Sequence, residues 1–338
     1  MDRSPKVTVI VPCFNEEKTI RLLLDALARQ TFPKTDMEVV VADGMSNDGT
    51  LQQIENFQIK NPHLKVRVIE NHKRIIPAAL NRAIEAASGE YIIRLDAHSV
   101  PHPEYVARSV AGLEQQLGEN VGGVWKIVPS ENTWIARSIA AAASHPLGVG
   151  DAKYRYADSP GEVDTVPFGA FRRDYLLSIG GFDESLLANE DYELNTRIRQ
   201  TGGKLWLDPN IQVQYYSRAT LGQLARQYWR YGYWKAVMLR RYPGSLRWRQ
   251  ALPPLFVLGL IGLLAASIWI VTARWLLVVA TFSYAMALLL SGMEITLQGR
   301  KFSLFFGVPL VIATMHIAWG SAFLVSALSQ LFGKKSAG

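Results

Sequence analysis

The chain has one cysteine, Cys13, in 338 residues. That excludes an internal disulfide framework, and with no C-x-x-C pair or Cys/His cluster nothing points to a structural zinc. Two phosphate-binding signatures are also missing. Neither G-x-x-x-x-G-K nor G-x-G-x-x-G occurs, which argues against nucleotidase and dehydrogenase chemistry. The opening, MDRSPKVTVIVP, is too short and too soon interrupted by Pro12 to be a secretory signal. The chain is therefore expected to begin in the cytoplasm.

Charge is unevenly placed. The net +7 is concentrated at Arg226, Arg230, Lys235, Arg240, Arg241, Arg247 and Arg249, interleaved with Tyr228, Trp229, Tyr231, Tyr233, Trp234 and Trp248. Basic and aromatic residues mixed just before apolar runs fit a cytoplasmic membrane interface better than nucleic acid. Beyond Arg249 charge becomes scarce. Leu255 to Thr272 and Trp275 to Met293 form two long apolar runs, and Phe302 to Phe332 contains a third with Pro309 near its start. About twenty apolar residues cross a bilayer, so about three spans are expected. Arg247 and Arg249, and then Arg300 and Lys301, place their loops in the cytoplasm, whereas Lys334 and Lys335 pull against the odd count. Glu294 and His316 read as packing or boundary residues.

The first part alternates instead between strand and helix patterns. Val7 to Pro12, Met37 to Ala42, Val66 to Ile69 and Tyr91 to Leu95 are short, β-branched-rich or apolar runs. Ile20, Leu23, Leu24 and Leu27 have helical spacing after Glu16 and Glu17, and Pro77 to Ala87 reads as a further helix. This alternation predicts an open, mostly parallel, Rossmann-like α/β sheet covered on both faces. Ligands bind such sheets at the carboxyl ends of the strands, where Asn15, Asp43 and Asp96 fall. Asp43 can accept from a uracil N–H, while Asp48 can cap the following helix. Asp96 and His98, two apart past a strand, can share one divalent ion that bridges a diphosphate, although D-x-H by itself is usually a solvated turn. Lys73 and Arg74 add positive charge. Asn189, Glu190 and Asp191 open a helix running to Gln200. Two carboxylates there either answer the helix dipole or supply a general base.

These motifs taken together resemble glycosyltransferase family 2. They are Val9-Ile-Val-Pro-Cys-Phe-Asn-Glu-Glu17, Val41-Ala-Asp-Gly-Met-Ser-Asn-Asp-Gly-Thr50 and Ile93-Arg-Leu-Asp-Ala-His98. More narrowly, the chain is similar to the bacterial exopolysaccharide glucosyltransferases of the succinoglycan type. The resemblance implies a GT-A fold, a nucleotide-sugar donor, inversion at the anomeric carbon, and Mg²⁺ or Mn²⁺ as cofactor. Matched motif by motif, Pro12, Asn15 and Glu16 fall in the first nucleotide-binding segment, and Arg74 joins the nucleotide-sugar-binding candidates for its charge. Asp43 becomes the base-binding aspartate, and Asp96 with His98 the metal pair, His98 standing where a second aspartate is usual. Asp191 becomes the catalytic base, with Glu190 as contender. Gln227, Arg230 and Tyr231 fall in a Q-x-x-R-W-like motif for the acceptor diphosphate, with Tyr231 where tryptophan is usual.

The implied organisation is a catalytic domain over 1–218, a basic aromatic interface segment over 219–252, and a membrane region over 253–338. The implied activity is transfer of glucose from UDP-glucose to a polyprenyl-diphosphate-linked glycan for exopolysaccharide or another surface polysaccharide. The site of action would be the bacterial inner membrane, with lipids as partners and no nucleic acid. Three other readings are a processive synthase, a polyprenyl-phosphate glycosyltransferase and a catalytically inactive nucleotide-sugar sensor. The few spans, all after the catalytic domain, disfavour the first, and the filled acidic positions disfavour the last.

Overall fold

A computed structural model of the chain describes residues 4–299 and 301–332. Arg300, Lys334 and Lys335, used in the topology expectation, lie outside the described residues. The strands are β1 Val7–Cys13, β2 Met37–Asp43, β3 Lys65–Glu70, β4 Tyr91–Arg94, β5 Val100–Pro101, β6 Asn120–Pro129, β7 Gly161–Glu162, β8 Ala170–Arg172 and β9 Leu205–Ser217. The first helices are α1 Ile20–Ala28, α2 Thr50–Lys60, α3 Ile76–Ala86, α4 Tyr105–Glu114, α5 Trp134–Ala142 and α6 Pro146–Val149. Then come α7 Arg173–Ser178, α8 Glu190–Gln200, α9 Leu221–Arg241, α10 Trp248–Ala266, α11 Val271–Gly299 and α12 Ser303–Leu331. By packing, the chain forms two units, Met1–Lys126 with Lys153–Tyr215, and Ile127–Ala152 with Tyr216–Gly338. Residues 127–152, inside the segment expected to be catalytic, thus pack in the second unit.

In the first unit the sheet order is β3-β2-β1-β4-β8-β6-β9-β5, with β7 on β9. The β-branched runs make its parallel half, β3-β2-β1-β4. The other half brings antiparallel pairings of β4 with β8, β6 with β8, and β5 and β7 with β9. Side chains of β1 alternate between two cores. Val7, Val9 and Val11 join Leu23, Leu24, Phe57 and Tyr105 on one face. Ile10 joins Leu80, Ile84, Leu194 and Ile198 on the other. All seven residues of β1 and of β2 are buried, the signature of a sheet covered on both sides. Pro12 is tolerated because its missing N–H faces β4, whose last rung with β1 is Ile10 opposite Arg94. Gly123 lets β6 approach β9, since a Cβ there would lie 1.7 Å from the Ile211 carbonyl oxygen.

One polar group crosses this apolar interior. Glu38, on β2, is fully buried and accepts from the Thr8 hydroxyl at 2.8 Å, the Ser88 N–H at 2.8 Å and Arg67 at 3.2 Å. It ties β1, β2, β3 and the turn before β4 together at their N-terminal ends.

The second unit has its own buried cluster, in which Ile139 and Leu224 meet Leu288, Val308, Val311 and Met315. Three of its helices, α10, α11 and α12, are long and apolar enough to cross a membrane. The first expected span, Leu255 to Thr272, is broken by a turn at 267–270. Three of the four turn residues are apolar, so hydropathy passes over the break. Arg274 closes the turn by donating to the carbonyls of Ser267 and Ile268 at 2.7 and 3.2 Å.

Burial raises the Glu38 carboxyl's pKa, but the Ser88 N–H, Thr8 and Arg67 outweigh it and the net shift is down. Its stabilisation is therefore present above the ordinary carboxylate range and lost as pH falls through the folded-state value. Glu38→Gln is expected to destabilise the chain by about 2 kcal/mol near neutrality. Thermal unfolding of the full chain in detergent should show the gap to the parent closing below about pH 4. A gap that stays constant with pH would contradict this account.

Candidate functional site

The site lies at the carboxyl ends of β1, β2 and β4. Beyond β1 the backbone turns sharply, with Asn15 at φ 54°, a conformation asparagine tolerates better than most residues. Its N–H donates to the Ser46 hydroxyl at 2.8 Å, and its side-chain carbonyl accepts from the Asn47 N–H at 3.0 Å. The Glu16 N–H donates to the Thr50 hydroxyl at 2.8 Å. Asp43, nearly fully buried at the end of β2, accepts from the Ser46 N–H at 2.9 Å and the Ser46 hydroxyl at 2.5 Å. The Asp48 carboxylate accepts from the Thr50 N–H at 3.0 Å, so it closes the first turn of α2. The glycine-rich loop is thus clamped to the turn after β1 before any ligand arrives. Arg74 stands 6.0 Å over the ring of the exposed Phe14, which brings it beside Asn15. Lys73 instead pairs with Glu184 at 2.6 Å.

At the end of β4 lies a residue to which the sequence pattern assigns no role. Arg94, 3% exposed in its side chain, pairs with Asp96 at 3.1 Å, with Glu190 at 3.0 Å and with Asp191. Its guanidinium lies between Phe168 and Phe182, 5.6 and 5.8 Å from their ring centres. Burial alone would favour the neutral form, but Asp191, Asp96 and Glu190 outweigh it and hold the positive charge. The signal was legible in principle. An arginine inside the apolar run Tyr91 to Leu95 requires buried anions nearby, and acidic residues that could supply them follow at Asp96 and at 190–191.

Helix α8 delivers two of those anions. Asn189, at φ 66°, sets the entry, so Glu190 and Asp191 occupy the first turn. The body of the helix is fixed elsewhere. Asn195 accepts from Asn120 at 2.7 Å and donates to Thr165 and to the Val166 carbonyl at 3.0 and 2.9 Å. Arg197 pairs with the buried Glu193 and donates to the carbonyls of Ile179 and Gly181. The pKa of the Asp191 carboxyl is pushed up to about 7. Burial is the main cause. Arg94 opposes it, and the nearby charges of Glu190 and Asp96 reinforce it. A carboxylate so placed takes up a proton near neutral pH, as a general base requires.

The expected metal pair is arranged differently. Asp96 is held by Arg94, and His98 Nδ1 lies 3.0 Å from Glu16 Oε1. Burial raises the pKa of the Glu16 carboxyl, but the His98 and Thr19 hydrogen bonds bring it below its ordinary value. Among the described residues no group of three or more His, Cys, Asp or Glu side chains could hold a metal ion. Asp96 and His98 are both partly exposed. One carboxylate and one imidazole suit a divalent ion whose other ligands are diphosphate oxygens and water. Gln227, Arg230 and Tyr231 lie on α9 in the second unit, where the Gln227 amide donates to the Tyr231 hydroxyl at 2.9 Å.

A model of the family described as Glycosyl transferase family 2 matches residues 8–180. The succinoglycan biosynthesis protein ExoA of Rhizobium meliloti is 30% identical over 322 residues, 93% of this chain and 93% of its own. The dolichyl N-acetyl-alpha-D-glucosaminyl phosphate 3-beta-D-2,3-diacetamido-2,3-dideoxy-beta-D-glucuronosyltransferase of Methanococcus voltae is 29% identical over 317 residues, 92% of this chain and 93% of its own. Among solved structures, the mannosyltransferase PcManGT from Pyrobaculum calidifontis, in complex with GDP-Man and Mn2+, superposes with a TM-score of 0.61. It is 21% identical and covers 98% of this chain and 89% of that one. This likeness establishes the GT-A fold.

The base geometry sets a pH dependence. If Asp191 must be ionised to act, turnover should fall as pH drops below about 7. Glu190→Gln, which removes a neighbouring negative charge that raises that value, should move the acid limb to lower pH. A pH–rate profile of the two proteins checks this, and an unmoved limb would remove Asp191 from the rate-determining titration.

Proposed function

The chain belongs to glycosyl transferase family 2 and is a nucleotide-sugar-dependent enzyme; on that premise we propose that it moves a hexose onto a lipid-linked glycan at the membrane. The observation that carries this reading is the Arg94 cluster. One buried guanidinium holds a base carboxylate, Asp191, and a donor-side carboxylate, Asp96, in fixed relation at the ends of the strands. An inverting transfer needs such a pair. One carboxylate takes the proton from the attacking hydroxyl, and the other would help hold the divalent cation that offsets the charge of the departing diphosphate.

In this reading Asp43, Asn15, Glu16 and Arg74 receive the nucleotide, and Pro12 shapes the turn that presents them. Asp96 and His98 would hold a divalent cation. When bound, that ion neutralises the charge growing on the leaving diphosphate. Asp191 takes the acceptor proton while Arg94 keeps it oriented, and Glu190 tunes it. Gln227, Arg230 and Tyr231 are assigned to the diphosphate of the acceptor lipid. UDP-glucose is the proposed donor, and polysaccharide assembly at the cell surface the proposed setting. The anchor is multi-pass, and the catalytic unit is proposed to face the cytoplasm, since aromatic and basic residues precede the apolar helices.

Three experiments test the reading. Membranes carrying the full chain should release nucleoside diphosphate from one donor in a panel of UDP-, GDP- and TDP-sugars, in a metal-dependent way. Asp191→Asn should reduce transfer by about 10³-fold or more while donor binding persists, as expected when a positioned base is lost. Undiminished turnover would remove Asp191 as the base. His98→Asp should shift the Mn²⁺/Mg²⁺ activity ratio toward Mg²⁺, because imidazole favours the softer ion. An identical ratio in both proteins would take His98 out of the metal site.

A further inference from the structure

The three apolar helices do not pack alike. Most of α11 is exposed around its circumference, whereas the exposed positions of α12 fall on one line. Phe306, Leu310, Ile317, Val325, Leu328 and Leu331 are the exposed large apolar residues there. Their spacings of 4, 7, 8, 3 and 3 place them on a single helical face.

The depth of α12 follows from its contacts. The ends of the α10–α11 pair that lie toward residue 247 are polar, with Gln250 on α10 and Glu294 on α11. The middle of α12 meets α10 at that end; on α11 it meets Tyr284, whose hydroxyl lies 3.0 Å from His316 Nδ1, while the segment packed beside it reaches Glu294. Trp319 Nε1 donates to the Gln250 carbonyl at 3.2 Å, and a Cβ on Gly320 would meet the Pro253 carbonyl oxygen at 2.5 Å. His145 lies 3.3 Å from Glu294, and two residues on the Leu147 carbonyl lies 3.0 Å from His316 Nε2. A 29-residue helix standing upright across the bilayer from that side would have its middle about 15 Å inside the hydrocarbon. Two of its partners could not follow it there. One is α6, a single turn with its caps at 145 and 150, where Pro146 and Leu147 are exposed; one turn leaves most of its backbone groups without partners within the helix, and such backbone does not face lipid. The other is α9. Leu224 shares a buried cluster with Val308 and Val311, and a Cβ on Gly232 would lie 2.3 Å from the Trp319 carbonyl oxygen. Helix α9 therefore runs beside α12 while leaving Arg226, Arg230 and Arg240 exposed, and such charges avoid hydrocarbon.

We propose that α10 and α11 form a transmembrane hairpin and that α12 does not cross, but lies along the leaflet on the side of residue 247 with its apolar stripe in the lipid. Each arm fits its task. Helix α10 has 19 residues, about 28 Å at 1.5 Å per residue, close to the hydrocarbon thickness. The hairpin tip carries Trp269, Arg274 and Trp275, residues suited to the far interface. The C-terminus then returns to its starting side, which relieves the conflict between an odd span count and a basic tail. Helix α9, with Gln227, Arg230 and Tyr231, would lie at the depth of lipid phosphates, where an acceptor diphosphate sits. This deepens the membrane reading above and rests on it.

The test is a topology map of the full chain in membranes. Reporters are placed at the N-terminus and, separately, after the last residue, and Ser267→Cys is probed with an impermeant maleimide in a Cys13→Ser background. Expected are both reporters on one side and position 267 labelled from the other. A C-terminal reporter on the opposite side would show that α12 crosses and overturn the proposal. Labelling of position 267 from the reporter side would show that the hairpin does not cross, and overturn it equally. If the chain failed to sediment with membranes, the anchoring itself would fall, an outcome readable apart from either.

Discussion

The arrangement of the candidate site depends on one buried cation. Arg94 is enclosed by two phenylalanine rings and three carboxylates. Removing a charged group from water is costly unless partners replace the solvent, so the guanidinium and its acids must be placed together or not at all. The acids come from two chain regions about a hundred residues apart. Sheet order brings them together, because β4 ends at Arg94 with Asp96 just beyond it, while α8, packed on one face of the sheet, carries Glu190 and Asp191. The Asn195 and Arg197 networks fix α8 from behind. The helix needs that support, because it places two like charges side by side in its first turn.

The same sheet separates structural from chemical charge. Glu38 sits at the amino ends of the strands with every neighbour a donor, so its carboxylate is held ionised and inert. Asp191 sits at the carboxyl ends with other carboxylates nearby, so its charge is costly and its proton available. Both are buried acids. Their neighbours, not their burial, decide which is held ionised and which titrates near neutral pH.

Much of this was legible in the residues. The runs around Val9, Val40 and Ile93 are β-branched and bounded by turns, and they form the parallel half of the sheet. Asn15, Asp43 and Asp96 fall at strand ends because strand ends are where apolar runs stop. The antiparallel half was less legible. Strand β8 has three residues, too few to show a period, and β5 and β7 are shorter still. The part of the site that sequence alone missed was Arg94, whose function depends on residues 96 to 97 positions away in the chain. Periodicity reports one element's environment, whereas an ion cluster is a property of several.

The departure at His98 follows the same logic. A second aspartate there would add a negative charge beside Glu16 and near an already acidic cluster. An imidazole can instead share a proton with Glu16 at 3.0 Å, which costs less in the absence of a cation. The imidazole thus leaves this corner with less self-repulsion than a second carboxylate would. Since Glu16 also anchors the turn through its N–H to Thr50, His98 ties the segment after β4 to the turn after β1. The segment after β4 and the turn after β1 are thus braced against each other, which lowers the ordering cost of any ligand that contacts both.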